Sequence, residues 1–195
     1  MKQENLIGSL RLGIFSSIIL ILNSISSFLI YLFQPDSRIA IEQFLKVILA
    51  LGLVGLYYAI LEQFGEEQKI IPQLLKGIIA LDLTRFVLEY YLFDAPGLED
   101  LMPLISTFVG IAASILFVIF GIKVLNMPNK RIDYLVYLKG FILSTFSMYA
   151  LLLILEFFLA KSHPGTLPLI VSFLALIPYS FSLLFFIKRK SRSTQ

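Results

Sequence analysis

The chain has 195 residues and a formal net charge of +3; 58% of the residues are hydrophobic and only 15% are charged. Soluble domains are typically about half apolar and about a quarter charged, so this composition excludes an ordinary soluble protein. The apolar residues form long continuous runs, which excludes the short alternating segments of a β-barrel. Cysteine is absent, which excludes disulfides, thiol redox chemistry and thiolate metal sites.

Six apolar runs are long enough to cross a bilayer, because a transmembrane helix needs roughly 20 apolar residues. They lie at approximately 9–33, 41–63, 71–93, 103–125, 134–160 and 167–187. The first run is longer than the ~7–15 apolar residues of a signal peptide, so we interpret it as a retained helix. The sequence predicts an all-α polytopic membrane protein with a single six-helix transmembrane domain over residues 1–195.

Lysine and arginine are distributed unevenly between the two sides of this predicted domain. The side that holds both termini carries ten, namely Lys2, Arg11, Lys69, Lys123, Lys130, Arg131, Lys188, Arg189, Lys190 and Arg192. The opposite side carries two, Arg38 and Lys161. Because cytoplasmic loops are enriched in basic residues, both termini are predicted to be cytoplasmic. The positive net charge is therefore a signal of topology and not of nucleic-acid binding.

The first two predicted helices carry polar residues within apolar sequence. Ser16, Asn23 and Ser27 share one face of the first helix, at spacings of seven and four residues. In the second helix, Lys46 stands one turn from Glu42 near the predicted outer end. These residues supply polar groups that can meet other polar groups inside a bundle.

The third predicted helix contains the stretch ALDLTRFVLEY, residues 80–90, with the charges Asp82, Arg85 and Glu89. In a helix these three side chains lie within about 60° of one face. A charge at the centre of a membrane helix costs roughly 2.5–3.5 kcal/mol, so the stripe is expected to face protein or water rather than lipid. Arg85 cannot fully neutralise both carboxylates, so one of them needs another partner or a proton.

Small residues on the second and fourth predicted helices favour close helix packing. They are Gly52 and Gly55 in the second helix and Gly110, Ala113 and Ser114 in the fourth. The fourth and sixth helices also match without gaps at an offset of 65 residues, from MPLISTF at 102 to LPLIVSF at 167. The odd helices each place a basic residue close to a glycine near the inner end. These matches predict three repeated helical hairpins.

The last two predicted helices bring polar groups to the middle of the membrane. Thr145, Tyr149 and Glu156 share a face of the fifth helix, and Tyr179 lies near the middle of the sixth. Pro178 removes a backbone hydrogen bond from the sixth helix and predicts a kink or a local unwinding.

The other aromatic and basic residues suit the membrane interface. Since tryptophan is absent, tyrosine is expected to anchor the helix ends, at Tyr31, Tyr90 and Tyr91 on the outer side and at Tyr57, Tyr58, Tyr134 and Tyr137 on the inner side. Lys76 and Lys139 lie about one turn inside the inner boundary and are predicted to snorkel towards water.

Ordered by depth, the polar residues of the predicted helices form two layers. The layer near the middle contains Asn23, Asp82, Tyr149 and Tyr179, with Ser114 close by. The outer layer contains Lys46, Arg85, Glu89 and Glu156. We predict that these layers form a polar interior that opens outward. Either they bind or conduct a small molecule, or they form an ion-pair network that fixes helix packing.

Known catalytic motifs are missing from the sequence. Its one histidine, His163, lies in a predicted loop, and the chain contains no HExxH, G-x-S-x-G or phosphate-loop motif. We therefore predict a protein that is not an enzyme, with no metal site and no cofactor.

Two functions of different class remain. Six helices in this length, with no soluble domain, are similar in size and topology to the substrate-binding components of energy-coupling-factor vitamin transporters. That resemblance implies a small-molecule carrier or substrate-binding membrane subunit, and no residues are carried over from it. The alternative is a non-catalytic scaffold or modulatory subunit of a larger membrane complex. The cytoplasmic loop at 126–133 would dock a protein partner in either case. The short loops of the chain are typical of a protein of the bacterial inner membrane.

Overall fold

The computed structural model describes the chain in six stretches, residues 2–33, 38–64, 70–88, 101–128, 135–159 and 166–193. The side chains at 2–6, 38–40, 156–159, 166 and 192–193 are outside the description. The helices are α1 (Lys2–Phe33), α2 (Arg38–Leu61), α3 (Ile70–Val87), α4 (Leu101–Leu125), α5 (Leu135–Leu159), α6 (Thr166–Leu174) and α7 (Leu176–Ser193). No strand occurs in these stretches.

The described helices include five segments that are long and apolar enough to cross a membrane. They are Ile7–Phe33, Ile41–Leu61, Leu101–Leu125, Leu135–Leu155 and Leu167–Ser191. α3 is a sixth helix, but its 18 described residues contain the charges of Lys76, Asp82 and Arg85. The predicted all-α polytopic membrane fold is confirmed.

The sixth predicted helix is interrupted at Ala175, which separates α6 from α7. Pro178 explains the position of the break. It has no N–H to donate to the carbonyl oxygen four residues earlier, which belongs to Leu174, the last residue of α6. The next N–H, that of Tyr179, makes a long 3.4 Å bond to the Ala175 carbonyl oxygen. Of the two outcomes that Pro178 predicts, a kink or a local unwinding, the interruption at Ala175 is the local unwinding.

The helices follow one another around a ring. Each packs against its neighbours in sequence, and α6 and α7 return to pack on α1. Contact between α4 and α5 is the sparsest of the contacts between consecutive membrane-crossing helices. Helices that are not neighbours in this ring, such as α3 and α5, can therefore approach only across the axis of the bundle.

The hydrophobic core lies towards one end of the bundle, where α1 begins and α7 ends. Exposed basic residues mark this end, which we call the basic end; they are Arg11, Lys123, Lys188 and Lys190. The fully buried large side chains lie at or on the basic side of the middle of their helices; they include Leu10, Leu56, Leu75, Phe120, Leu138 and Phe186. Side chains in the opposite half, here the open end, are mostly half-buried or exposed. Packing therefore closes the basic end more tightly than the open end.

Hydrogen bonds also tie the basic end together. Gln63 Nε2 donates to Ser9 Oγ at 3.0 Å, and Arg189 Nε donates to Gln63 Oε1 at 3.1 Å. These bonds join the beginning of α1, the end of α2 and the end of α7. Lys139, predicted to snorkel, has a specific partner here, since its Nζ donates to the Met127 carbonyl oxygen just beyond α4 at 2.5 Å. A basic side chain thus satisfies a carbonyl group at a helix C-terminus.

Glycines allow close packing between the helices, as predicted for Gly52 and Gly55. A Cβ on Gly52 would stand 2.8 Å from Leu20, and one on Gly55 would meet the Ser16 hydroxyl. Both contacts join α2 to α1, so the prediction is confirmed at these two positions.

An equivalent glycine contact recurs in two of the predicted hairpins. Gly77 of α3 faces Leu116 of α4, and Gly140 of α5 faces Phe181 of α7. Leu116 and Phe181 are 65 residues apart, which is the offset of the sequence match. In α1, Gly13 faces Phe186 of α7 and not a residue of α2. The same glycine contact therefore occurs within the second and within the third predicted hairpin. For the first hairpin the repeat stays a prediction.

Candidate functional site

A polar cluster occupies the region around the bundle axis. Asp82 of α3 lies within electrostatic range of the hydroxyl groups of Tyr57 on α2 and Tyr149 on α5. Tyr179 of α7 lies within the same range of Tyr57 and Tyr149. Since α3 and α5 are not neighbours in the ring, and α2 and α7 are not either, the Asp82–Tyr149 and Tyr57–Tyr179 pairs lie within this range across the axis. We call Tyr57, Asp82, Tyr149 and Tyr179 the axial cluster.

The structure thus brings together Asp82, Tyr149 and Tyr179, which the sequence placed in one layer. It adds Tyr57, which the sequence analysis assigned to the inner membrane interface. That assignment was wrong, because Tyr57 is only 8% exposed and its ring packs on Phe117, with ring centroids 6.2 Å apart. The adjacent Tyr58 is 48% exposed. Successive helix positions are about 100° apart, so two adjacent tyrosines point in different directions and cannot both face the same surroundings.

Two polar side chains at or next to this cluster are exposed. Tyr149 is 57% exposed even though its hydroxyl group lies in electrostatic range of residues on two other helices. Arg85, one turn from Asp82 and in range of Tyr149, is also exposed. Both side chains therefore stay accessible while they lie within electrostatic range of other polar groups around the axis.

Arg85 also lines a cavity of about 520 Å³ along α4. The other described lining residues are Ser106, Thr107, Gly110, Ile111, Ser114, Ile115, Val118 and Ile119. The Arg85 guanidinium group lies against Gly110, where an added Cβ would stand 3.3 Å from Nη1. Gly110 was predicted to receive a neighbouring helix, but the group it receives is this long cationic side chain, which reaches α4 from α3.

Two hydroxyl groups in the cavity wall donate to backbone carbonyl groups of their own helix. Thr107 Oγ1 donates to the Pro103 carbonyl oxygen at 2.8 Å, and Ser114 Oγ donates to the Gly110 carbonyl oxygen at 2.9 Å. Their oxygens remain hydrogen-bond acceptors. Arg85 is therefore the strong cationic donor in the described lining, and this arrangement favours an anionic group over a cation.

The remaining predicted site residues are not among the described members of the axial cluster or of the cavity lining. Lys46 is exposed on α2, and Asn23 is buried in α1. Glu89 lies outside the described residues. Glu156 belongs to α5, but its side chain also lies outside them.

Asn23 holds an unsatisfied polar atom. The side chain is 7% exposed, and Oδ1 is buried without a hydrogen-bond donor in the described part of the chain. An unsatisfied buried acceptor costs about 1–3 kcal/mol. Buried polar groups without partners are rare, so this one needs an explanation such as a bound water or ligand donor.

We expect Asn23→Leu to raise the free energy of unfolding by up to about 1–3 kcal/mol in protein purified without ligand, because it removes this acceptor. Thermal unfolding in detergent measures the change. Asn126→Leu, at an exposed position just beyond α4, is the control and should leave stability unchanged. Lower stability in Asn23→Leu would show that the asparagine is satisfied in the folded protein.

No protein-family model, curated protein or solved structure matches the chain. Its function is therefore argued from the geometry of Arg85, the axial cluster and the cavity.

Proposed function

We propose that the protein is a small-molecule carrier or substrate-binding membrane subunit, and that Arg85 binds an anionic group of the ligand. One observation carries the proposal: Arg85 is exposed and lines an open cavity of about 520 Å³ along one face of α4, within the membrane-crossing part of the chain. Ligand pockets commonly measure about 300–1,000 Å³ and pair an apolar lining with a few placed polar groups. The proposed activity is binding or transport, without catalysis.

The position of Arg85 favours binding over a purely structural role. A charged side chain that serves only helix packing is expected to be enclosed between helices, whereas one that binds a ligand must stay accessible. Arg85 is in electrostatic range of Asp82 but stays accessible, with its guanidinium against a glycine. A guanidinium group held in this way can present two parallel N–H donors to a carboxylate or phosphate.

Asp82 and the tyrosines of the axial cluster complete the proposed site. Asp82 holds Arg85 near the axis by charge attraction. The hydroxyl groups of Tyr149 and Tyr179 offer hydrogen bonds to a neutral polar part of the ligand. The ligand arrives from the open end, because the basic end is closed by the hydrophobic core.

A scaffold or modulatory subunit is the second candidate. It is favoured by the sparse contact between α4 and α5 and by the exposed apolar face of α4, which includes Ile111, Ile115 and Val118. A partner helix could cover this face, and the loop at 126–133 could add a cytoplasmic contact. Residues 129–133 of that loop lie outside the description.

Native mass spectrometry on protein extracted in mild detergent from its own membrane tests the two proposals. A bound small molecule that is lost in Arg85→Gln supports the carrier. A stoichiometric second polypeptide, with no small molecule, supports the scaffold.

We further propose that both termini are cytoplasmic in a bacterial inner membrane, as the distribution of basic residues predicts. Because the chain has no cysteine, single-cysteine variants report topology without background. In intact cells, a membrane-impermeant maleimide is expected to label Ser37→Cys and not Thr194→Cys. Labelling after cell disruption controls for reactivity, and the reverse pattern in intact cells would contradict the orientation.

A further inference from the structure

The cavity along α4 is polar towards the open end and apolar towards the basic end. Arg85 lies at the level of Gly110, with Ser106 and Thr107 on the open side of that level. Towards the basic end the lining is mainly apolar, with Ile111, Ile115, Val118 and Ile119, and it includes one hydroxyl group, that of Ser114. From residue 106 to residue 119 the lining covers 13 residues, or about 20 Å at 1.5 Å per residue.

The inner edge of this lining is a stripe of small residues. Ser106, Gly110 and Ser114 follow one another at intervals of four, so they lie on one face of α4. Small side chains let another group approach the helix backbone closely. The cavity therefore has the form of a groove about as long as a lipid chain, with a cation near its open end.

We propose that the ligand of this site is an amphipathic anion with a single alkyl chain, of the long-chain carboxylate class. Its anionic group lies on Arg85, and its chain follows Ile111, Ile115 and Val118 towards the basic end. The inference rests on the proposed binding function and adds the chemical class of the ligand. Charge complementarity selects the head, and the apolar lining selects the tail.

The depth of Arg85 argues against an ordinary bilayer phospholipid. Gly110 follows Leu101, the first residue of α4, by nine residues, which places it about 14 Å along the helix. The 25 residues of α4 span about 37 Å, so the helix extends only a few ångströms beyond each side of a hydrocarbon core about 30 Å thick. The Arg85 site is thus about 10 Å below the interface where phospholipid headgroups lie. A compact carboxylate can lie at that depth against an arginine, whereas a phospholipid headgroup would have to leave the interface.

The test uses full-length protein in phosphatidylcholine nanodiscs and measures binding of dodecanoate and butyrate by calorimetry. Dodecanoate is expected to bind at least about tenfold more tightly than butyrate, because burial of each methylene group adds affinity. Ile115→Trp, which fills the groove without touching Arg85, should weaken dodecanoate binding about tenfold or more and leave butyrate unchanged. Val118→Phe is the second filling variant. Ile122→Trp, at an exposed α4 position outside the groove, should change neither.

The outcomes separate this inference from the proposed function. If Arg85→Gln abolishes carboxylate binding but Ile115→Trp and Val118→Phe have no effect, the proposed function stands and the alkyl-chain inference is overturned. If none of the three variants changes binding, both fail. The inference is also overturned if wild-type protein shows no saturable dodecanoate binding. Phosphatidylcholine retained by the wild type and lost in Ile115→Trp would overturn it as well, since a bilayer lipid would then be the occupant.

Discussion

Arg85→Gln is expected to lose anionic ligand binding by a factor of roughly ten to a hundred or more while the protein still folds and inserts. Hydrogen bonds to charged groups contribute about 1.5–3 kcal/mol, and each 1.4 kcal/mol is a tenfold change in affinity. Glutamine keeps much of the side-chain length and one amide donor group, but it has no charge and no guanidinium fork. Because Arg85 is exposed in the cavity, the substitution leaves no buried void to destabilise the fold.

The matched variant is Arg85→Lys, which keeps the charge and loses the planar pair of donors. We expect it to retain part of the affinity, so that wild type, lysine and glutamine form a descending series. Native mass spectrometry measures the bound ligand, and thermal unfolding of the same samples measures stability. If Arg85→Gln is degraded or fails to insert while the lysine variant is normal, the charge is needed for the architecture, and the carrier proposal fails.

Gly13→Ala is expected to destabilise the protein by about 1–3 kcal/mol, the usual range for added volume in a packed core. The new methyl group would meet the ring of Phe186, which is fully buried between α1 and α7. The ring cannot move away without disturbing the helices that close the basic end. The predicted loss is notable because alanine is otherwise the better helix former.

Gly8→Ala is the control in the same helix. Among the described residues, apart from the adjacent residues and the helix's own backbone, no atom lies within 4 Å of a Cβ placed there, and the position is exposed. This substitution should stabilise the helix, by up to about 1 kcal/mol. Opposite shifts in the thermal midpoints of the two variants would establish that close packing on Phe186 sets the stability of the basic end. Equal shifts would refute that explanation.

The all-α polytopic fold and most helix limits could be predicted from the sequence. A run of about 20 apolar residues is a local property, and it requires a helix because the bilayer core offers no water for unpaired backbone groups. The break before α7 was predictable for a similar reason, since Pro178 lacks an N–H wherever the helix lies. The sequence also showed that the α3 charges share one face, because that follows from helix geometry alone.

The surroundings of those charges were decided by the tertiary structure. Arg85 lies against Gly110 because of how α3 is rotated and tilted against α4, and packing determines that rotation. The same reason explains Tyr57, whose sequence position suggests an interface but whose side chain is buried within electrostatic range of Asp82. The sequence by itself determined the six helices and the faces of their polar residues. Only the packing of the ring, tight at the basic end and open at the other, decided which of those faces border a shared space.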